Sequence, residues 1–144
     1  MPILFDSSIY IAALRLGGDA SLLLQRWADR SPLWLSSVVL EELCAGTTSG
    51  NQRVVERLER DFGKTGRVLV PNLTDWACAG KVLARLARKY GYEQTGQARL
   101  TNGALIAMSA ARTGITVITA NTRDFARLAE FRAFSWHAES IGRA

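Results

Sequence analysis

The sequence predicts a layered α/β fold, a three-layer α/β/α arrangement around a central parallel sheet of four to five strands. Three observations carry that expectation. Short apolar and β-branched runs, such as Ile3-Leu4-Phe5 and Ile115-Thr116-Val117-Ile118-Thr119, suit strands buried on both faces. These runs alternate with longer segments of helical periodicity, the pattern of a parallel sheet covered by helices. No repeat, low-complexity tract or linker interrupts the alternation.

The first strand is Ile3-Leu4-Phe5; Asp6 ends it, and Ser7 or Ser8 can cap the helix that follows. Gly17-Gly18-Asp19 breaks that helix, and a second is expected over about residues 20–28. Pro32-Leu33-Trp34-Leu35 reads as the next strand, with Ser36-Ser37 capping a helix through Glu41, Glu42 and Leu43 to Gly46. Over residues 51–62, Val54, Val55, Leu58 and Phe62 keep helical spacing, and Arg53, Arg57, Arg60 and Lys64 form a basic stripe. Val68-Leu69-Val70 is a third strand, closed by Pro71-Asn72. The next helix sets Ala79, Val82, Leu83, Leu86 and Tyr90 on one face and Lys81, Arg85, Arg88 and Lys89 on the other, and Gly91 stops it.

Residues 91–99 read as a loop, and a nearly all-apolar helix is expected over residues 101–112. The strand Ile115-Thr116-Val117-Ile118-Thr119 precedes a last helix over residues 121–129, and Ala133-Phe134-Ser135 is the candidate edge strand. The expected domain covers residues 1–136, with 137–144 as a tail.

With 144 residues, 48% of them hydrophobic and 22% charged, the chain reads as one globular domain able to bury a core unaided. Cys44 and Cys78 lie far apart and share no ligand spacing with His137, so neither a zinc site nor a disulfide framework is expected. The apolar N-terminus lacks a basic leader and carries Asp6, and no apolar run is long enough to span a bilayer. A cytoplasmic protein is the expectation. Eighteen Lys and Arg against thirteen Asp and Glu give a net charge of +5, a balance that favours a polyanionic partner.

The acids give this basicity its meaning. In an open parallel sheet, function gathers beyond the carboxyl ends of the strands. Asp6 ends the first strand, Glu42 follows the second by a turn of helix, and Asp124 follows the strand that closes at Thr119. Carboxylates converging on one point are costly unless a cation neutralises them. Oxygen ligands of this kind suit Mg²⁺ or Mn²⁺.

Four segments in order carry a family likeness: Leu4-Phe5-Asp6-Ser7-Ser8; Ser36-Ser37-Val38-Val39 leading to Glu42-Leu43; Leu100-Thr101-Asn102-Gly103-Ala104-Leu105-Ile106-Ala107; and Val117-Ile118-Thr119-Ala120-Asn121-Thr122-Arg123-Asp124-Phe125. Each is weak alone, but their order and spacing over nearly the whole chain resemble the PIN domain family, and within it the VapC-type ribonuclease toxins of type II toxin–antitoxin systems. That resemblance implies an endoribonuclease dependent on Mg²⁺ or Mn²⁺ that hydrolyses RNA phosphodiester bonds. It implies Asp6, Glu42 and Asp124 as catalytic acids and metal ligands, directly or through water. Thr119 and Asn121 become supporting polar residues near the metal. Some relatives carry Asp where Asn121 stands, which leaves open whether Asn121 or Asp124 lies nearer the ion. The resemblance also implies an RNA substrate, a small antitoxin partner and a homodimer. One-ion and two-ion chemistry both remain open.

Gly103 departs from the family pattern, which places a metal-binding Asp after the Asn. The change removes a carboxylate, and Asn102 cannot replace it because neighbouring helical residues point about 100° apart. The chain is then either an inactivated variant or an enzyme whose weaker metal site keeps residual activity. A non-enzymatic alternative is a degenerate PIN domain that binds antitoxin or RNA without cleavage. Phosphohydrolase and receiver-type readings fare worse: the haloacid-dehalogenase pattern wants a second Asp where Ser8 stands, and no phosphorylatable central Asp can be placed.

Simpler readings compete at each position. Asp6 could merely cap a helix, Glu42 could be an exposed helical acid like Glu41, and Asp124 could answer the helix dipole. Asp75 is assigned only that capping role. The basic stripes are expected to be solvated faces, His137 a surface residue, and Trp27, Trp34, Trp76 and Trp136 core or interface residues.

Overall fold

The computed structural model describes residues 1–16, 18–94 and 98–140. Along the chain run β1 (Ile3–Phe5), α1 (Ser7–Leu16), α2 (Gly18–Arg30), β2 (Leu33–Ser36), α3 (Ser37–Ala45), α4 (Gln52–Thr65), β3 (Val68–Leu69) and α5 (Leu73–Tyr90). A short 3-10 turn at Tyr92–Gln94 is followed by α6 (Ala98–Thr113), β4 (Thr116–Thr119), α7 (Thr122–Ala129) and β5 (Trp136–Ala138). The strands form one parallel sheet in the order β3-β2-β1-β4-β5, flanked by the helices, as the alternating pattern predicts.

The central strands are built of apolar and β-branched residues because neither face meets water. Ile3, Leu4 and Phe5 of β1 and Val117 and Ile118 of β4 are essentially fully buried. Burial of each such side chain stabilises the fold by about 2 kcal/mol. Leu35 of β2, Leu86 of α5, and Phe125 and Leu128 of α7 complete the same core. From β1 the chain winds outward to β2 and β3, then crosses back to β4 on the other side of β1. The switch between β1 and β4 opens a crevice beyond their carboxyl ends.

Several boundaries differ from the sequence expectation. The Asp6 carboxylate, not a serine hydroxyl, accepts the free Ser8 N–H at the start of α1. Helix α2 already begins at Gly18, and Gly17 lies outside the described residues. Val54 is 44% exposed, because its neighbour Val55 takes the core-facing position on α4. The expected loop over residues 91–99 contains the turn at Tyr92–Gln94, lies outside the described residues at 95–97, and gives way to helix by Ala98. Gly103 therefore sits in the second turn of α6 and not at its start. The edge strand is Trp136–Ala138, not Ala133-Phe134-Ser135, so the sheet continues past residue 136. Phe134 instead turns its ring against Phe125 at 6.1 Å.

Other expectations hold. Ser36 caps α3 through Val38 N, Gly46 ends it, and Gly91 ends α5. Arg53, Arg57, Arg60 and Lys64 of α4 are exposed, as are Lys81, Arg85, Arg88 and Lys89 of α5. Trp27, Trp34 and Trp136 pack partly buried against the core, whereas Trp76 is 56% exposed. Among the described residues no helix is long and apolar enough to cross a membrane.

Candidate acidic cleft

The β1 ladder extends one residue past its last strand position, through Asp6 N–H donating to Ile118 O at 3.1 Å. This sets the Asp6 side chain beside the end of β4, where Thr119 Oγ1 donates to Asp6 Oδ2 at 2.6 Å. Thr119 Oγ1 in turn accepts from Asn121 N at 2.9 Å. On the other side, Ser8 donates to Asp6 Oδ1 from both its backbone N and its hydroxyl, and Ser8 Oγ accepts from Ala120 N at 3.0 Å. The start of α1 and the turn from β4 into α7 are thus pinned to one carboxylate. Three of the roughly four lone-pair positions of that carboxylate are taken by neutral donors.

Asp6 is only 4% exposed. Burial pushes its pKa above the ordinary 3.8, against the lowering effect of the bonds from Ser8 and Thr119. Glu42, half-buried on α3, is also raised. Burial is the main cause, Asn102 and Ser7 oppose it, and the charges of Asp6 and Glu41 add to it. Asp124 sits in the first turn of α7, where Asn121 Nδ2 donates to its Oδ2 at 2.9 Å. Asn121 is thereby placed as a partner of Asp124.

A cleft of about 360 Å³ brings these groups together: Asp6, Glu42, Asn121 and Asp124 all line it, as does Gly103. Thr119 lies fully buried beneath Asp6. Asp6, Glu42, Thr119, Asn121, Asp124 and position 103 are therefore all at this one place. Gly103 leaves room, since a Cβ there would meet Leu128 Cδ1 at an ordinary 3.6 Å.

Four residues have contacts at the cleft that the sequence reading did not assign to them. Ser8 stands two residues after Asp6, a spacing that permits the Asx-type bond and was a usable signal. Asn102 donates to Glu41 Oε2 at 3.4 Å, and Arg15 and Arg99 line the cleft. These three depend on long-range packing and left no local mark. Asp75 is the cap expected of it, in a reciprocal box with Asn72. It also carries an ion pair with Arg112 that its neighbours in sequence do not announce.

The donor set fits a hard divalent cation in kind, being carboxylate oxygen throughout. It falls short in number: among the described residues, no group of three His, Cys, Asp or Glu side chains is gathered closely enough to hold a metal ion. Position 103 is where a further acid would enter the cleft.

No curated protein matches this sequence. Solved structures do. The chain is similar to VapBC2 from Rickettsia felis bound to a DNA fragment from its promoter, at 21% identity and TM-score 0.68, covering 97% of this chain and 100% of that one. It is similar to DNA-bound VapBC from Salmonella typhimurium at 22% identity and TM-score 0.68, covering 96% and 98%. VapBC-1 from nontypeable Haemophilus influenzae matches at 24% identity and TM-score 0.63, again covering 96% and 98%. At these identities the likeness shows the fold. A family model settles membership: the PIN domain model matches residues 3–131, and the chain belongs to that family, whose members are generally nucleases that use a divalent metal.

Proposed function

We propose that this chain is a VapC-type toxin, an endoribonuclease dependent on Mg²⁺ or Mn²⁺ whose acidic cleft hydrolyses RNA phosphodiester bonds, impaired by glycine at position 103. The observation that carries the reading is the state of Asp6 and Glu42. Asp6 is buried and Glu42 half-buried, burial raises the pKa of both, and the bonding of Asp6 is to neutral donors. Such acids are poised for an external cation.

Asp6, Glu42 and Asp124 would hold the cation, directly or through water. When bound, it supplies counter-charge for the phosphate and acidifies a water that serves as nucleophile. Thr119 and Ser8 fix the rotamer of Asp6, and Asn121 holds Asp124 toward the cleft. The VapBC likeness supports an antitoxin as partner, and the VapC-type reading further implies a homodimer and a cytoplasmic setting.

A second reading has its own observation. With Gly103 contributing no acid and no three-acid cluster present among the described residues, the domain would bind antitoxin or RNA without cutting. Cleavage of a mixed RNA pool in Mn²⁺ separates the two. The chain as it stands is compared with Gly103→Asp and with Gly103→Asp carrying Asp6→Asn. Strong cleavage by the single variant alone supports an impaired nuclease. Absence of cleavage in all three favours the binding module.

A further inference from the structure

The cleft is not purely acidic. Arg15 of α1 and Arg99 of α6 line it together with Asp6, Glu42 and Asp124, and the mechanism above uses neither arginine. A guanidinium nitrogen of Arg99 stands 3.7 Å from Asp124 Oδ2, with 70% of the Arg99 side chain exposed. That is too long for a hydrogen bond and too exposed to matter much to the fold. Arg99 also precedes Gly103 by one helical turn, on the same face of α6, where glycine contributes no side chain to the cleft.

Arg15 occupies the Glu42 side. It also lines a second cavity of about 330 Å³ with Leu14, Thr48 and Asn51, and Ile11, Arg15 and Glu42 border both spaces. The two cavities thus meet at Arg15. Arg99 and Asp124 line only the first cavity, and Thr48 and Asn51, just before α4, line only the second.

A polyanionic strand laid over bare carboxylates is repelled, and cations on either side reverse that field. Guanidinium forks match phosphate geometry and serve this role better than point charges. We propose that Arg15 and Arg99 form two phosphate subsites, one on each side of the acidic centre, that hold the backbone of a single RNA strand running into the second cavity. The proposal rests on the RNA reading of the same cleft.

The test is fluorescence anisotropy with a short, unstructured, fluorescein-labelled RNA of mixed sequence, in EDTA so that no cleavage intervenes. Arg15→Ala, Arg99→Ala and the double variant are compared with Arg57→Ala/Arg60→Ala, which removes equal charge from the exposed face of α4. Each single cleft variant is expected to lower the slope of log affinity against log salt by about 0.7, the signature of one lost phosphate contact on a single strand. The α4 pair is expected to leave the slope unchanged, and Arg99→Lys to restore part of the loss. If the unmodified chain binds and the cleft variants keep its slope, or if the α4 pair lowers it equally, the subsites are overturned. If the unmodified chain binds no RNA in EDTA, the subsites are overturned, while the ribonuclease reading stands or falls separately on cleavage in Mn²⁺.

Discussion

Two buried carboxylates in this molecule have opposite fates. Asp75 and Asp6 are 2% and 4% exposed. Asp75 receives Arg112 Nε at 3.1 and 3.0 Å on its two oxygens and closes a capping box with Asn72. Among the described residues, Asp6 receives a backbone amide and two hydroxyls and no cationic side chain. The chain neutralises one acid itself and leaves the other for something outside to neutralise. Burial alone therefore does not mark a functional acid; burial without a cation from the chain does.

The sharpest way to break the comparison is to make Asp75 resemble Asp6. Arg112→Ala strips the counter-charge from a carboxylate that cannot reach water, and the loss is expected to be about 3 kcal/mol. Urea unfolding would show it as a fall in midpoint at unchanged slope. A loss no larger than that of a surface substitution would mean that Asp75 is held by its cap alone.

Asp6→Asn is expected to act in the opposite direction, stabilising the protein by on the order of 1 kcal/mol at neutral pH while removing function. Burial raises the folded pKa of Asp6 above 3.8. Stability from this group is therefore complete below its unfolded value and is lost as pH rises through the folded one. The advantage of the Asn variant should vanish as pH falls to about 3.8. Thermal melts across that range would check it, and a pH-independent difference would contradict the assignment.

Gly103→Asp is expected to fold without strain, because a Cβ at that site meets Leu128 at ordinary contact distance. Its effect on the metal-free protein should stay below about 1 kcal/mol. Relief of glycine inside a helix is set against a further acid in the cleft. A large destabilisation would show that the space is not free.

The smallest effect belongs to the exposed clasp of Lys89 and Tyr90 on Glu130. The hydrogen bond from Lys89 lowers the pKa of Glu130, so its contribution is present above the ordinary 4.5 and lost as pH falls through the lowered value. Glu130→Gln should move the melting temperature barely at all, as exposed pairs generally do.

Legibility in the sequence followed the same division between local and distant causes. Strands β1 and β4 were plain because burial on both faces selects apolar and β-branched runs. Asp6, Glu42 and Asp124 were legible from their places beyond strand ends, whereas Thr119, Asn121 and position 103 came only from the family resemblance; the structure gathers all six at one cleft. Strand β5 was misplaced by its edge position: Trp136, His137 and Ala138 are only partly covered, and their register is set by β4. The α6 start was misread because Ala98 and Arg99 carry no cap signal. Arg112 meeting Asp75 and Arg99 meeting Asp124 are products of packing between distant segments, and no local pattern encodes them.

The central claim is that the cleft acids await a cation which Gly103 leaves poorly held. The most direct measurement is the Mn²⁺-induced shift in melting temperature of Gly103→Asp, with and without Asp6→Asn. Binding at a hundredfold excess over Kd stabilises a protein by about 2.7 kcal/mol, a shift of several degrees. A shift of that size in Gly103→Asp, smaller in the unmodified chain and gone when Asp6 becomes Asn, is the predicted result. An equal shift with and without Asp6, or none in any of the three, would contradict it.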